Sequence, residues 1–197
     1  MKIILFTLFL IINSFPPSQK DVIIDANYTF NEALAYSRVP DNIKKSLVLL
    51  EVEYYSFDNR LHRGQLLINK DLVNDIKQIF ILIKEIKFPI NKVIPIVKYN
   101  WSDDASMLDN NTSAFQYRKV ANTKVISKHS FGRGIDINPF LNPFIKNGKV
   151  SPKDAKYNVD APGTLSNDSP IVKEFKKLGW KWGGNWRSSK DYQHFEK

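Results

Sequence analysis

Two apolar runs separated by a turn signal stand out in the first half of the chain. The run VLLEVEYYSF covers residues 48–57 and is rich in β-branched and aromatic side chains, and a second apolar run covers residues 64–68. Between the two runs, Asp58 and Asn59 are residue types that favour tight turns. This pattern predicts a β-hairpin.

The spacing of the apolar residues becomes helical after this hairpin. From Leu72 to Ile86, isoleucine, leucine and phenylalanine side chains recur at intervals of three or four residues. Asn69 or Asp71 can cap the start of this segment, and Pro89 stands beyond its end. We therefore expect a helix whose apolar stripe packs on the core rather than on a partner.

The rest of the chain predicts shorter elements. Residues 93–98 are typical of a third strand, and residues 171–178 of a short helix that Pro170 opens and Gly179 ends. Between them, residues 138–169 are rich in proline, glycine, asparagine and aspartate and are too long for an ordinary connection. This segment either borders a binding groove or is an ordered surface loop. The elements together predict an α+β fold.

The N-terminus predicts export. Met1 and Lys2 precede an apolar run from Ile3 to Ile12, which is typical of a secretory signal peptide and too short to span a bilayer as a helix. Residues 1–18 are therefore predicted to be the signal and residues 19–46 an N-terminal extension. Because residues 13–18 lack a small-x-small cleavage pattern, an uncleaved anchor or a buried first strand is the alternative.

The composition of the chain limits the metal ligands and the catalytic groups that it can provide. The chain has no cysteine, which excludes disulfides, thiolate catalysis and cysteine metal ligands, so that any metal must be bound by histidine and carboxylate. The formal net charge of +9 favours an anionic partner. The three candidates are anionic polymers, a membrane surface and nucleic acid. The lysines are scattered and no nucleic-acid motif accompanies them, so we do not expect nucleic-acid binding. A solvated basic surface is the simplest alternative.

Candidate chemistry is concentrated in two segments. SKHSFGRGID covers residues 127–136 and contains His129 and Asp136, and DYQH ends at His194. Two histidines and one carboxylate are a complete set of protein ligands for a catalytic zinc ion. The chain has only three histidines, and His62, the third, lies in the predicted hairpin and is given no role. An ordinary histidine near a glycine-rich turn is the alternative to a zinc ligand.

The spacing of His129 and Asp136 constrains the backbone between them. Seven steps along a strand would separate them by about 23 Å and send their side chains to opposite faces. In a helix the rise over the same interval would still be roughly 10 Å. The chain must therefore fold back on itself if both side chains bind one ion, and we expect Gly132 and Gly134 to permit this turn.

The two segments carry a resemblance to a known family. The pattern SxHxxGxxxD, followed by WGGNWRSSKDYQHFE over residues 182–196, resembles the zinc peptidases of bacterial cell walls. These are the VanY-type D-alanyl-D-alanine carboxypeptidases and the L-alanyl-D-glutamate endopeptidases. The resemblance runs from about Leu47 to the C-terminus and includes NNTSAFQYR over residues 110–118. It implies a catalytic domain over residues 47–197, with a central antiparallel sheet flanked by helices in a Hedgehog/DD-peptidase-like fold.

The resemblance also implies roles for single residues. It makes His129, Asp136 and His194 the zinc ligands and Asp191 the catalytic carboxylate. A flat strand would project Asp191 and His194 to opposite faces, so a bulge or a strand entry must rotate one of them. Arg118 matches the arginine on the substrate side, where it would stabilise negative charge or bind a substrate carboxylate. Ser127 and Trp182 are the further substrate-binding candidates, although tryptophans in this segment can equally belong to the core.

Two positions depart from the usual family pattern. Asn185 stands where many relatives carry aspartate, and Gly134 where alanine is common. Neither is a ligand position, but an uncharged Asn185 can alter the surroundings of the metal site.

The function that these features predict is that of an exported, zinc-dependent peptidase of the periplasm or cell envelope, acting on peptidoglycan stem peptides as a monomer. Anionic cell-wall polymers are a further candidate partner, and no stable membrane span is expected. The alternative is a non-catalytic zinc-containing module of the same fold that binds the cell wall or a protein, because fold alone does not decide function. The position of Asp191 before His194 favours catalysis.

Overall fold

The computed structural model describes residues 22–120 and 123–197, which form short helices and short strands around two apolar clusters. The helices are α1 (Phe30–Ala33), α2 (Asp41–Lys44), α3 (Val73–Glu85), α4 (Asp103–Leu108) and α5 (Pro170–Lys177). The strands are β1 (Ile23–Ile24), β2 (Leu47–Tyr55), β3 (Leu61–Asn69), β4 (Lys92–Val93), β5 (Asn111–Thr112), β6 (Gly134–Asp136), β7 (Phe144–Lys146), β8 (Lys149–Ser151), β9 (Lys181–Trp182), β10 (Lys190–Asp191) and β11 (His194–Glu196). The predicted α+β class is confirmed.

The predicted hairpin and the helix after it are both present. Strands β2 and β3 pair antiparallel from Leu47↔Asn69 to Tyr55↔Leu61, with Asn59 at positive φ in the turn. Asn69 is the cap of the turn that leads into α3, because its side chain accepts the Asp71 N–H at 3.1 Å. The buried face of α3 packs on the hairpin as expected, in the larger apolar cluster.

The described strands form several small sheets where the resemblance implied a central antiparallel sheet. The described strands form three three-stranded sheets, in the orders β1-β3-β2, β10-β7-β8 and β6-β11-β9, and a two-stranded sheet of β4 and β5. Two of the pairings, β1 with β3 and β4 with β5, are parallel. Turn-forming residues interrupt the second half of the chain every few residues, so that only β2 and β3 are long enough to form an extended ladder.

The strand predicted over residues 93–98 is mostly wrong. Strand β4 ends at Val93, and the chain then forms a 3₁₀ helix over Ile96–Tyr99. Pro95 lies between the two elements and has no N–H to donate to a strand partner, which explains why the extended pairing stops there.

The long segment over residues 138–169 is an ordered part of the fold. It contains the β7–β8 hairpin, and β7 pairs with β10, the strand that contains Asp191. The fully buried Asn142 ties the segment together, because its side chain donates to Ile137, Asn138 and Gly163 carbonyls and accepts the Leu165 N–H. These contacts are those of an ordered surface loop, and the pairing of β7 with β10 connects this loop to the strand that contains Asp191.

The described part of the N-terminal extension packs on the rest of the chain. Strand β1 lies beside β3, and helices α1 and α2 contribute to an apolar cluster that also contains Leu47, Leu67 and Phe115. The predicted signal over residues 1–18 lies outside the described residues. In the described ranges, no helix is long and apolar enough to cross a membrane.

Candidate metal centre

A tight turn places His129. The residue lies in a 3₁₀ helix, Lys128–Phe131, whose first N–H groups are capped by Ser127, which accepts the His129 N–H at 3.3 Å. Gly132 ends the helix at a φ of +63°, and a β-carbon there would lie 2.6 Å from the backbone nitrogen of Asn69. Glycine is therefore required at this position, both for its left-handed backbone and for its close contact with β3.

Two neighbouring strands place the other two candidate ligands. Asp136 ends β6 and His194 begins β11, and the two residues are directly opposite in the antiparallel register of these strands. Directly opposite residues in an antiparallel pair project to the same face of the sheet. The fold-back predicted between His129 and Asp136 is confirmed, and Gly132 makes the turn.

The three side chains converge on one point. His129 Nε2 lies 3.0 Å from His194 Nδ1 and 3.3 Å from Asp136 Oδ1, and the His194 and Asp136 atoms are 2.9 Å apart. All three side chains are buried, with 4% to 6% of each residue exposed. Ligand atoms about 2.0–2.1 Å from a tetrahedral zinc ion lie roughly 3.3 Å from one another, close to the sides of this triangle. The geometry and the donor types therefore fit a zinc ion.

The outer nitrogen of each histidine also has a partner. His129 Nδ1 donates to the Ala114 carbonyl at 2.6 Å, which leaves Nε2 to face the site. His194 Nε2 lies 3.4 Å from Glu196 Oε2, which leaves Nδ1 to face the site. Such outer contacts fix the tautomer and the ring orientation of a metal ligand.

The metal-free cluster is held together by charge. Burial raises the pKa of Asp136, but the charges of His129 and His194 and their hydrogen bonds outweigh it and hold that pKa well below its usual range. Burial lowers the pKa of His194, yet hydrogen bonds to Asp136 and Glu196 raise it overall to about 10. A bound metal ion would take the place of the proton that His194 shares with Asp136.

Asp191 lies close enough to the three ligands for their charges to act on its carboxyl group. Its Oδ1 is buried and has no hydrogen-bond partner in the described part of the chain. Burial raises the pKa of Asp191 to about 6 against the opposing charge of His194. The chain changes sheets between Asp191 in β10 and His194 in β11, as the predicted rotation of one side chain requires. A buried carboxyl group with a pKa in this range is suited to accept and release a proton.

The paired glycines of WGGNW make room for these side chains. A β-carbon at Gly183 would lie 2.6 Å from the Asp191 carbonyl oxygen, and one at Gly184 would lie 2.4 Å from the Trp182 ring. Gly134 has a different role from the predicted turn, because it lies within β6 and a β-carbon there would lie 3.2 Å from the His129 ring.

Arg118 lies beside the His129 turn. Its N–H donates to Ser130 Oγ at 2.8 Å, and its carbonyl accepts the Ser127 N–H at 3.0 Å. Its guanidinium donates from Nε to Gln116 Oε1 at 2.7 Å and pairs through Nη2 with Asp103 Oδ2 at 2.9 Å. Burial raises the pKa of Asp103 against the Arg118 charge, and the charges of Asp136 and His129 also act on it. The backbone contacts of Arg118 with Ser127 and Ser130 therefore place the pair at the turn that contains His129.

The two other predicted substrate-binding residues have structural contacts. The Ser127 hydroxyl is occupied as the cap of the His129 turn. Trp182 is 3% exposed, donates its indole N–H to the Tyr192 carbonyl at 2.8 Å and packs over Phe195. These contacts are those of a core residue, which is the alternative that the sequence left open for Trp182.

Three residues at the site had no assigned role from sequence. Trp186 is half-buried with its ring 5.5 Å from that of His194, Glu196 contacts the same histidine, and Asp103 holds Arg118. Trp186 and Glu196 belong to the WGGNWRSSKDYQHFE segment, and the two-residue spacing of Glu196 from His194 in a strand was the available signal for Glu196. Asp103 lies 26 residues before His129, and no sequence pattern connected it to the site. Asn185 is exposed in the 3₁₀ helix before Trp186.

Comparison with known proteins agrees with the geometry. Residues 121–197 match a family model described as D-alanyl-D-alanine carboxypeptidase, and this segment includes the three candidate ligands and Asp191 but neither Arg118 nor Asp103. No solved structure matches the chain. The match supports a peptidase function, and residues 121–197 of the chain are similar to the VanY-like peptidase family.

Proposed function

We propose that the protein is a zinc-dependent peptidase that hydrolyses a peptide bond in peptidoglycan stem peptides. One observation carries the proposal: a complete His-Asp-His ligand set converges beside a buried carboxylate oxygen that has no partner in the described residues. The family description, D-alanyl-D-alanine carboxypeptidase, supports a peptide substrate of this kind.

His129 Nε2, Asp136 Oδ1 and His194 Nδ1 would hold the ion. When bound there, zinc would lower the pKa of a water molecule and polarise the scissile carbonyl. Asp191 accepts the proton of the attacking water at Oδ1 and then donates it to the departing amine. The guanidinium of Arg118, fixed by Gln116 and Asp103, donates hydrogen bonds to the carbonyl oxygen as negative charge develops there.

The second candidate is a non-catalytic zinc module that binds the cell wall or a protein. Such a module needs the three ligands and their outer contacts but has no use for Asp191. A buried carboxylate oxygen without a hydrogen bond destabilises a fold, so the presence of Asp191 Oδ1 beside the ligands favours a catalytic role. We therefore prefer the peptidase to the non-catalytic module as the proposed function.

We further propose that the protein acts after export, in the periplasm or cell envelope, as a monomer of the DD-peptidase-like fold. The apolar N-terminal run supports export, and the net charge of +9 supports adhesion to anionic cell-wall polymers. Mass determination of the mature N-terminus tests the first point, because an intact Met1 in the exported protein would contradict cleavage.

Incubation of the zinc-loaded protein with defined muropeptides, followed by mass analysis of the products, tests the central proposal. Release of terminal D-alanine would assign carboxypeptidase action, and cleavage within the stem would assign endopeptidase action. Asp191→Asn is the matched variant, since it keeps the ligands and the shape of the side chain. Zinc binding without any cleavage by the wild-type protein would favour the non-catalytic module instead.

A further inference from the structure

We propose that Glu196 is a positioning residue that holds His194 with Nδ1 toward the metal and thereby sets the metal affinity of the site. The inference rests on the metal site of the proposed function but not on hydrolysis. Its basis is the contact of Glu196 Oε2 with His194 Nε2 at 3.4 Å, on the side of the ring opposite the ligand triangle.

Strand geometry explains why these two side chains meet. His194 and Glu196 are two residues apart in β11, so they project to the same face of the strand. Phe195 projects to the other face, where it is fully buried and stacks on Phe175 with ring centroids 3.9 Å apart. The burial of Phe195 therefore determines which face His194 and Glu196 occupy.

The backbone of Glu196 is fixed on both sides. Strand β11 is the central strand of its sheet, and Glu196 is opposite Gly134 in β6 and Lys181 in β9. The adjacent Lys197 N–H donates to the Arg133 carbonyl at 3.0 Å. Because its strand is fixed, the Glu196 carboxylate keeps a constant position relative to the His194 ring. A group that fixes the orientation of a metal-binding histidine must hold such a constant position.

The two histidines differ in how they are held. The outer nitrogen of His129 donates to a backbone carbonyl, that of Ala114, which no side-chain substitution removes. The outer nitrogen of His194 depends on the side chain of Glu196 alone among the described residues. Glu196 is therefore the outer contact through which a substitution can change the basicity and the orientation of a ligand without touching the ligand itself.

The test is the zinc affinity of Glu196 variants, measured by competition with a chromogenic chelator, and the absorption spectrum of the Co²⁺ form. Outer partners of this kind contribute about 10-fold to 100-fold in affinity. We expect Glu196→Ala to weaken zinc binding by that factor, and Glu196→Gln, whose amide oxygen still accepts a hydrogen bond but carries no charge, to weaken it by about threefold to tenfold. The band positions of the Co²⁺ form should shift in Glu196→Ala, as a rotated imidazole changes the ligand field.

Glu51→Ala is the control, because Glu51 is an exposed glutamate of strand β2. It should bind zinc like the wild type. Equal zinc affinity in the wild type and Glu196→Ala would overturn the inference. If Glu196→Ala does not fold, Glu196→Gln decides, since an affinity and a Co²⁺ spectrum identical to those of the wild type would overturn it. If zinc affinity depends on Glu196 as expected but the wild-type protein cleaves no muropeptide, the proposed function alone is contradicted.

Discussion

Gly183 packs against the backbone of Asp191 so closely that a β-carbon at residue 183 would lie 2.6 Å from the Asp191 carbonyl oxygen and 2.7 Å from its β-carbon. Contacts this short do not occur between real β-carbons and backbone atoms. The proposed base therefore occupies its place beside the ligands because residue 183 has no side chain.

Gly183→Ala should displace β10 and, with it, the Asp191 carboxylate. We expect a loss of about 1–3 kcal/mol in the free energy of unfolding, as for other overpacked sites. Hydrolysis should fall much further than zinc affinity, because the three ligands lie in other elements. Thermal unfolding, zinc titration and muropeptide cleavage measure the three effects, and an unchanged cleavage rate would contradict the contact.

Gly134→Ala is the comparison for that variant. A β-carbon at residue 134 would lie 3.2 Å from the His129 ring, a contact that a shift of a few tenths of an ångström relieves. We expect a cost below about 1.5 kcal/mol and zinc affinity within about threefold of the wild type. Loss of zinc binding in this variant would show that the His129 ring has no freedom to adjust.

Asp191→Asn should remove hydrolysis while stabilising the metal-free protein. Burial raises the pKa of Asp191 from 3.8 to about 6, so the folded protein binds the extra proton between these values and its stability falls as the pH rises through them. Above pH 6 the full penalty is present, up to about 3 kcal/mol at roughly 1.4 kcal/mol for each unit of pKa difference. The melting temperature of the variant should exceed that of the wild type at pH 7.5, and the difference should disappear near pH 4.

His129→Ala should abolish zinc binding, whereas His62→Ala should not. His62 lies between Asp25, at 3.0 Å, and Asp58, at 3.2 Å, away from the ligand triangle. Because a metal that binds only the folded state stabilises it, a chelator should lower the melting temperature of the wild type and of His62→Ala but not of His129→Ala. Equal responses of the two histidine variants would contradict the assigned ligands.

Asp103→Asn should reduce turnover without affecting the metal. The pair of Asp103 with Arg118 at 2.9 Å holds the guanidinium that we propose to stabilise negative charge on the substrate. Because an amide oxygen still accepts one hydrogen bond, we expect kcat to fall by about tenfold and Arg118→Ala to cost about 100-fold or more. Asp104→Asn, an exposed neighbour in the same helix, is the control and should behave like the wild type.

The local elements with strong periodicity were predictable from sequence. The β2–β3 hairpin, α3 and α5 follow from apolar spacing and turn residues, which act over a few residues. Residues 93–98 contain four apolar residues with β-branched side chains, but Pro95 lies among them and the chain turns into a 3₁₀ helix. The arrangement of many two-residue and three-residue strands into separate sheets depends on contacts between distant segments, which periodicity does not encode.

The candidate site also combines residues that sequence motifs identify with residues that only tertiary contacts bring in. His129, Asp136 and His194 were candidates by residue type in a chain without cysteine, whereas their assignment as ligands and the role of Asp191 came from the family resemblance of the two motifs. The functions of Asp103, which approaches Arg118 from a separate helix, and of Trp186, which lies against His194, depend on tertiary packing. Trp182 and Trp186 are tryptophans of one motif. Only the fold shows that Trp182 belongs to the core and that Trp186 lies beside the candidate ligand His194.

The change of sheet between Asp191 and His194 means that proton transfer and metal binding can be altered separately. The proposed base is on β10, whose partner is the β7 strand of the long 138–169 segment, whereas two of the ligands are on the β6–β11 pair. Substitutions in the β7–β8 hairpin should therefore change the rate of hydrolysis while the three metal ligands keep their positions. If the proposed function is correct, a variant of this kind would bind its peptide substrate without cleaving it.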